Sequence, residues 1–265
     1  MKVALIQFQA TDNKNDNIRR AKESVKEAIA KKAKWVLLPE IFSFRGDLRD
    51  KEILQQVREH IPGKTTQEFL KLAQAHKADI LLGSLLEEAP GAKAYNTTVA
   101  LNGSSGKIRK YRKIHLFEAV LGDKILNESV CFSKGNRLGT VYVGEFKVGL
   151  SVCYDLRFPG LYQKYAQMGA TALTVPSCFT KQTGRAHWES LLKARAIENL
   201  CYVFAPNQVG KDTRGIEAYG HSMVVDPWGR VVACGLSNKE EIIYADVFLQ
   251  EVKEARRRLP GIIKD

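Results

Sequence analysis

Apolar residues fall along this chain in two alternating patterns, short unbroken runs and three- or four-residue spacing. Val3–Phe8 is a run that reads as a buried strand. Asn17–Lys32 carries Ile18, Ala21, Val25, Ala28 and Ile29 on one helical face, with Asp16 placed to cap it. Trp35–Leu38 is a second short strand, stopped by Pro39. Helical spacing returns over Glu52–His60 and again after Thr65, where Thr65 and Glu68 fit a capping box. Asp79–Leu86 and Tyr95–Leu101 read as strands. Asn102-Gly103 then turns the chain into Lys107–Lys113, the far arm of a hairpin.

The second half repeats the alternation. Val141–Val143 and Lys147–Val152 read as strands joined at Gly144-Glu145, and Leu161–Met168 as a helix ended by Gly169. A strand at Ala172–Val175, a helix at Ala186–Asn199 and a strand at Cys201–Pro206 follow. His221–Val225 and Arg230–Cys234 pair across Asp226-Pro227-Trp228-Gly229, which has turn chemistry. Glu241–Asp246 is the last strand and Gln250–Arg258 the last helix. No linker, repeat or low-complexity stretch interrupts the series. The pattern predicts an α/β fold in layers, sheet against sheet with helices outside, and one domain over 1–265 because neither half covers both faces of its own sheet.

Composition narrows the classes. With 45% hydrophobic and 26% charged residues, the chain has an ordinary globular balance. The five cysteines are odd in number and form no Cys-x-x-Cys pair, which points to free thiols in a reducing compartment. Met1–Phe8 is too short for a signal-peptide core and no run approaches a membrane span, so the expectation is a cytoplasmic protein without membrane contact. Asn96-Thr97-Thr98 matches the glycosylation pattern, which has no meaning without secretion. The net charge of +12 attracts anions of many kinds. The basic run Lys107–Arg112 alternates like the exposed face of a strand, and no nucleic-acid motif accompanies it. His115 and His187 are too dispersed for a zinc site, and there is no phosphate-binding glycine loop or serine-hydrolase elbow. No metal, cofactor or nucleic-acid partner is expected.

Three apolar runs each end on a reactive side chain: Trp-Val-Leu-Leu-Pro39 on Glu40, the strand from Ile108 on Lys113, and Val148-Gly-Leu-Ser-Val on Cys153. Strand ends in layered folds converge on clefts. A free thiol, with a pKa of about 8.5, is a weak nucleophile at neutral pH. A carboxylate can take its proton and an ammonium can stabilise the anions that follow. Taken singly, each residue has a plainer reading. A cysteine is most often a small buried hydrophobe, a glutamate a surface acid, and Lys113 a solvated charge like its basic neighbours. Cys131, Cys201 and Cys234 read as structural, and Cys178, after another strand end, is the one rival nucleophile.

Leu-Leu-Pro39-Glu40, Tyr111-Arg-Lys113-Ile-His-Leu-Phe and Cys153-Tyr-Asp-Leu-Arg-Phe-Pro159 together resemble the nitrilase superfamily of carbon–nitrogen hydrolases, over nearly the whole chain. Thr183-Gly-Arg-Ala-His-Trp-Glu189, Ala194-Arg-Ala-Ile-Glu-Asn199, Tyr219-Gly-His-Ser222 and Val225-Asp-Pro-Trp-Gly229 are similar to its Nit branch. The resemblance implies a four-layer α-β-β-α sandwich. It also implies a Glu-Lys-Cys triad with Glu40 as base, Lys113 as oxyanion stabiliser and Cys153 as nucleophile by way of a thioester. Glu128 would orient Lys113 or the substrate, and the Tyr154 backbone N–H would join Lys113 on the oxyanion. Arg157 would meet a substrate carboxylate, with Phe179 and Thr183 lining the pocket. Cys153-Tyr-Asp, where nitrilases carry Cys-Trp-Glu, favours amides over nitriles. The implied substrate is the amide of deaminated glutathione, with short α-keto acid amides such as α-ketoglutaramate as the alternative and a non-enzymatic basic binding module as the reading of a different class. A homodimer or higher homo-oligomer is implied. Gly160 departs from the glutamate that often follows Phe-Pro in this family, which puts the pocket shape or the next helix start in question.

Overall fold

The computed structural model describes residues 1–121 and 124–261. Two six-stranded sheets carry the molecule. The first runs in the order Glu241–Asp246, Lys2–Gln7, Trp35–Leu37, Asp79–Glu88, Ala94–Leu101 and Ile108–Arg112. Its three strands from Lys2–Gln7 to Asp79–Glu88 are parallel and the others antiparallel. The second runs Val231–Cys234, Met223–Val225, Tyr202–Ala205, Ala172–Thr174, Phe146–Leu150 and Thr140–Val143, again with a parallel centre and antiparallel edges.

The unbroken apolar runs are explained by burial on both faces. Val3 and Leu5 point between the sheets, with Trp35, Leu37, Val148, Leu150 and Phe204. Ala4 and Ile6 point the other way, onto Ala21, Val25 and Phe69 of helices Lys14–Ala30 and Lys64–His76. In the second sheet Leu173, Val175 and Val203 meet Tyr165, Trp188 and Leu192 of helices Pro159–Gln167 and Lys181–Asn199. The layers are therefore helix, sheet, sheet, helix, as the resemblance implies.

Several local expectations are corrected. The first helix is capped by Asn13, whose Oδ1 accepts from the Asp16 N–H at 3.0 Å, while Asp16 pairs with Arg19 at 2.6 Å. Thr65 and Glu68 form no capping box: the helix begins at Lys64 after Gly63, Thr65 is buried, and Glu68 meets Lys22 at 2.9 Å. The helix expected over Glu52–His60 ends at Val57, because the Glu59 N–H turns to the Leu86 carbonyl at 2.9 Å. The helix expected from Ala186 starts at Lys181, five residues earlier, under a Thr180 cap. Lys110 and Arg112 are not merely solvated: they hold the buried Glu87 carboxylate at 2.5 and 2.8 Å. Two ribbons were not anticipated, Glu118–Leu121 with Lys124–Asn127 and Val209–Lys211 with Glu217–Tyr219. Ile125, Leu126 and Asn127 of the first ribbon, and Asp212, Arg214 and Ile216 of the turn that joins the second, line the cavity described next.

Candidate active site

Glu40 leaves the first sheet two residues beyond Leu38, whose N–H still donates to the Leu81 carbonyl. The passage is tight, since a Cβ on Gly83 would lie 1.8 Å from the Leu38 carbonyl oxygen. The next residue, Ile41, takes a left-handed φ of 46° and donates its N–H to Ser84 Oγ at 2.7 Å. The chain is thus bent away, and the Glu40 side chain is left inside, 3% exposed. Glu40 Oε1 accepts from Asn96 Nδ2 and from Lys113 Nζ, both at 2.9 Å, and Oε2 accepts from the Cys178 N–H at 2.8 Å.

Lys113 follows the edge strand Ile108–Arg112, its N–H donating to the Asn96 carbonyl at 2.8 Å. Its ammonium is buried between two carboxylates, 2.9 Å from Glu40 and 2.8 Å from Glu128. Glu128 is oriented in turn by the Phe117 N–H at 2.7 Å. Burial works against the lysine charge, but Glu128 and Glu40 outweigh it and hold the pKa well above the ordinary value, so Lys113 is an ammonium. Burial pushes the Glu128 carboxyl up, against the pull of Lys113.

Cys153 comes three residues after strand Phe146–Leu150 and opens the tight turn Cys153–Arg157. Its φ is +46°, a left-handed conformation that costs a non-glycine residue on the order of 1 to 3 kcal/mol. Asp155, fully buried, holds this turn. It accepts from the Val152 N–H at 2.9 Å, the Tyr111 hydroxyl at 2.8 Å and the His115 N–H at 3.0 Å, and lies 2.7 Å from His115 Nδ1. The Cys153 N–H reaches the Pro176 carbonyl at 3.0 Å. Burial first, and Glu40 next, push the Cys153 thiol well above its usual pKa, while Lys113 and the Cys178 N–H favour the anion. The resting side chain is a thiol that feels the charges of both Glu40 and Lys113.

These elements share a cavity of about 190 Å³ that Glu40, Glu128, Cys153, Tyr154, Arg157, Phe179 and Thr183 all line. Lys113 stands behind its wall. The Arg157 guanidinium lies 5.3 Å from the Phe179 ring centre and 3.3 Å from His187 Nδ1. Thr183 Oγ1 is already 2.8 Å from Thr180 Oγ1. Cys178 also lines the cavity, but burial pushes its thiol up and its main-chain N–H is committed to Glu40. Gly160 is the second residue of helix Pro159–Gln167, exposed, and an added Cβ would meet nothing within 4 Å, so this departure touches neither pocket nor helix start. Among the described residues no group of three or more His, Cys, Asp or Glu side chains could hold a metal ion, and no helix is long and apolar enough to cross a membrane.

Sequence reasoning missed Asn96, Asp155, Gln208 and Arg45. Gln208 Nε2 donates to the Glu40 carbonyl at 2.9 Å, joining the two sheets beside the site. Asp155 sat inside a quoted motif and Asn96 inside a sequon, and either signal could have been followed. Nothing in the sequence marks Gln208 or Arg45.

Comparison with known proteins places the chain in a family. The chain is 38% identical to the human omega-amidase NIT2, over 98% of this chain and 92% of that one. It is 37% identical to the deaminated glutathione amidase of Dictyostelium discoideum, over 98% of this chain and 91% of that one. The fold superposes on the C. elegans NitFhit protein with a TM-score of 0.89 at 35% identity, covering 98% of this chain and 63% of that longer one. A family model described as carbon-nitrogen hydrolase matches residues 2–257, and with these relatives it means that the chain belongs to the carbon-nitrogen hydrolase family.

Proposed function

We propose that the chain hydrolyses a small amide through a thioester on Cys153, with Glu40 as the shared acid and base and Lys113 as the stabiliser of the oxyanion. The observation that carries this reading is a left-handed cysteine opening on the same cavity as Glu40 and Glu128, the two carboxylates that hold the buried Lys113 between them. As Cys153 Sγ attacks the amide carbon, its proton passes to Glu40, and the carbonyl oxygen becomes an anion. Lys113 and the Tyr154 backbone N–H stabilise that anion. The C–N bond then breaks, and Glu40 returns the proton to the leaving amine. Water attacks the thioester, giving one proton to Glu40. The carbon–sulfur bond breaks, the acid departs, and the sulfur takes the proton back. Glu128 keeps the ammonium aimed, which is why two carboxylates flank one lysine.

Arg157, Phe179 and Thr183 receive the acyl part, the guanidinium pairing with its carboxylate. Deaminated glutathione is the substrate we favour. A short α-keto acid amide is the second reading, supported by near-equal similarity to relatives of both names. We further propose a cytoplasmic homodimer or higher homo-oligomer. The test is turnover of both amides by the parent and by Cys153→Ala. The substrate with the higher kcat/KM is the better candidate, and a variant that retains turnover removes Cys153 from the mechanism.

A further inference from the structure

Asn96, on the strand Ala94–Leu101, is wholly buried behind the cavity wall, yet it meets the chemistry at two points. Its Nδ2 donates to Glu40 Oε1 at 2.9 Å, and its carbonyl accepts from the Lys113 N–H at 2.8 Å. The other end of the side-chain amide is the informative one. Its Oδ1 is buried without a hydrogen-bond partner. A buried polar atom is ordinarily paired, and one left unpaired destabilises the fold. Turning the amide over would not mend this, because it would set Oδ1 against the Glu40 carboxylate and remove the donor. The side chain is therefore held for what Nδ2 gives Glu40, while Oδ1 goes without. Arg45 is a contrast. It is buried with an unpaired Nε, but its guanidinium gives three bonds to the carbonyls of Val209, Gly210 and Ile216 and ties the chain after Glu40 to the second ribbon, which is a duty to the fold.

The bonds to Glu40 also sort its two oxygens. Oε1 accepts from both Asn96 and Lys113, which occupies its two lone pairs. Oε2 accepts from the Cys178 N–H at 2.8 Å, which leaves it one lone pair. That same N–H favours the Cys153 anion, so Oε2 lies on the side of the sulfur. An oxygen needs an open lone pair to take a proton. We infer that Glu40 Oε2 is the atom that exchanges protons with sulfur, amine and water, and that Asn96 is the positioning residue that keeps Oε1 out of that exchange. A neutral amide does this without adding a second cation beside Lys113. Without it the carboxylate is free to turn about its Cγ–Cδ bond, and it loses a donor that favours its charged form. The inference rests on the amidase reading and adds the working atom and the residue that selects it.

The test follows kcat and KM on the preferred amide from about pH 5 to 9 in the parent, Asn96→Leu and Asn96→Asp. Leucine offers no donor, so protonated Glu40 is favoured and the acid limb of kcat moves up by about one pH unit. On the plateau kcat still falls by about tenfold or more, because no single oxygen is kept facing the sulfur. KM stays within about threefold, since a wholly buried side chain does not touch substrate. An aspartic carboxyl donates to Oε1 while it keeps its proton and repels Glu40 once that proton is lost. Asn96→Asp therefore falls further behind the parent as pH rises, whereas Asn96→Leu gains on it. A purely structural role lowers the melting temperature and gives losses that are the same at every pH. An unmoved acid limb in Asn96→Leu, or pH-independent losses in both variants, overturns the inference. If Asn96→Leu does not fold, Asn96→Asp decides alone, and a loss independent of pH overturns it. Either result beside a turning-over parent leaves the amidase reading standing; a parent that hydrolyses no amide ends both.

Discussion

Replacing Asp155 by alanine tests how the fold holds the proposed nucleophile in place. The carboxylate accepts from two fully or almost fully buried donors, the Val152 N–H and the Tyr111 hydroxyl, and from the His115 main chain. Each buried donor left without an acceptor costs about 1 to 3 kcal/mol, so two of them cost about 2 to 6 kcal/mol together. That is a large part of the 5 to 15 kcal/mol that ordinarily holds a domain together. At roughly 2 to 4 °C per kcal/mol for a chain of this size, the melting temperature falls by about 4 to 24 °C. Activity falls further than stability explains. The left-handed Cys153 lies next to the Val152 N–H that Asp155 anchors, and release of that anchor lets the strained turn relax. A shift of about 1 Å at a reacting atom costs on the order of a hundredfold in rate. Thermal melting and kcat on the preferred amide are measured at a temperature where the variant remains folded. Asp155→Asn, which keeps one acceptor oxygen, falls between parent and alanine in both. An alanine variant that melts within 2 °C of the parent, or keeps its kcat once folded, refutes the reasoning.

Three further outcomes follow from the same geometry. Because burial and then Glu40 raise the Cys153 thiol, its alkylation by iodoacetamide accelerates as pH rises from 7 to 9, and Glu40→Gln shifts that profile to lower pH while lowering kcat by about a hundredfold or more; a plateau already reached below pH 7 contradicts this. Burial works to raise the Glu87 carboxyl, yet Arg112, Lys110 and Thr97 hold it below the ordinary carboxylate value. Its folded pKa is depressed, so it contributes stability above the unfolded value of about 4.3 that is lost as pH falls through the folded one; the melting temperature of Glu87→Gln should decline less between pH 5 and 3 than that of the parent. Gly160→Glu leaves kcat/KM within about twofold and raises the melting point slightly, since the position is open, near a helix N-terminus and relieved of glycine's helix cost; a tenfold loss of activity would show that it shapes the pocket after all.

What the sequence disclosed depended on whether one face or two was buried. Val3–Phe8 and Trp35–Leu38 were legible because both their faces are covered, which leaves an unbroken apolar run. The ribbon Glu118–Leu121 with Lys124–Asn127 was not, since it pairs only with itself and leaves Val120 and Ile125 exposed. Helix starts slipped because caps are chosen by local geometry: Asn13 and Asp16 are equally good cap residues and only the backbone selects between them. At the site, Lys113 is indistinguishable by composition from Lys110 or Arg112. What separates them is the facing partner, Glu40 and Glu128 against Glu87. Asn96 lay within a glycosylation-like triplet, whereas its side chain is wholly buried and bonded to Glu40. Such long-range partners have no signature in local spacing.

The central claim concerns which of three thiols in one cavity, Cys131, Cys153 or Cys178, bears the acyl group. Rapid acid quench of the protein during turnover of the preferred amide, followed by peptide mass mapping, reads this directly. The account predicts the mass of the acyl fragment on the peptide containing Cys153, and its absence, together with turnover, in Cys153→Ala. An acyl mass on the Cys178 peptide, or sustained hydrolysis by Cys153→Ala, would contradict it.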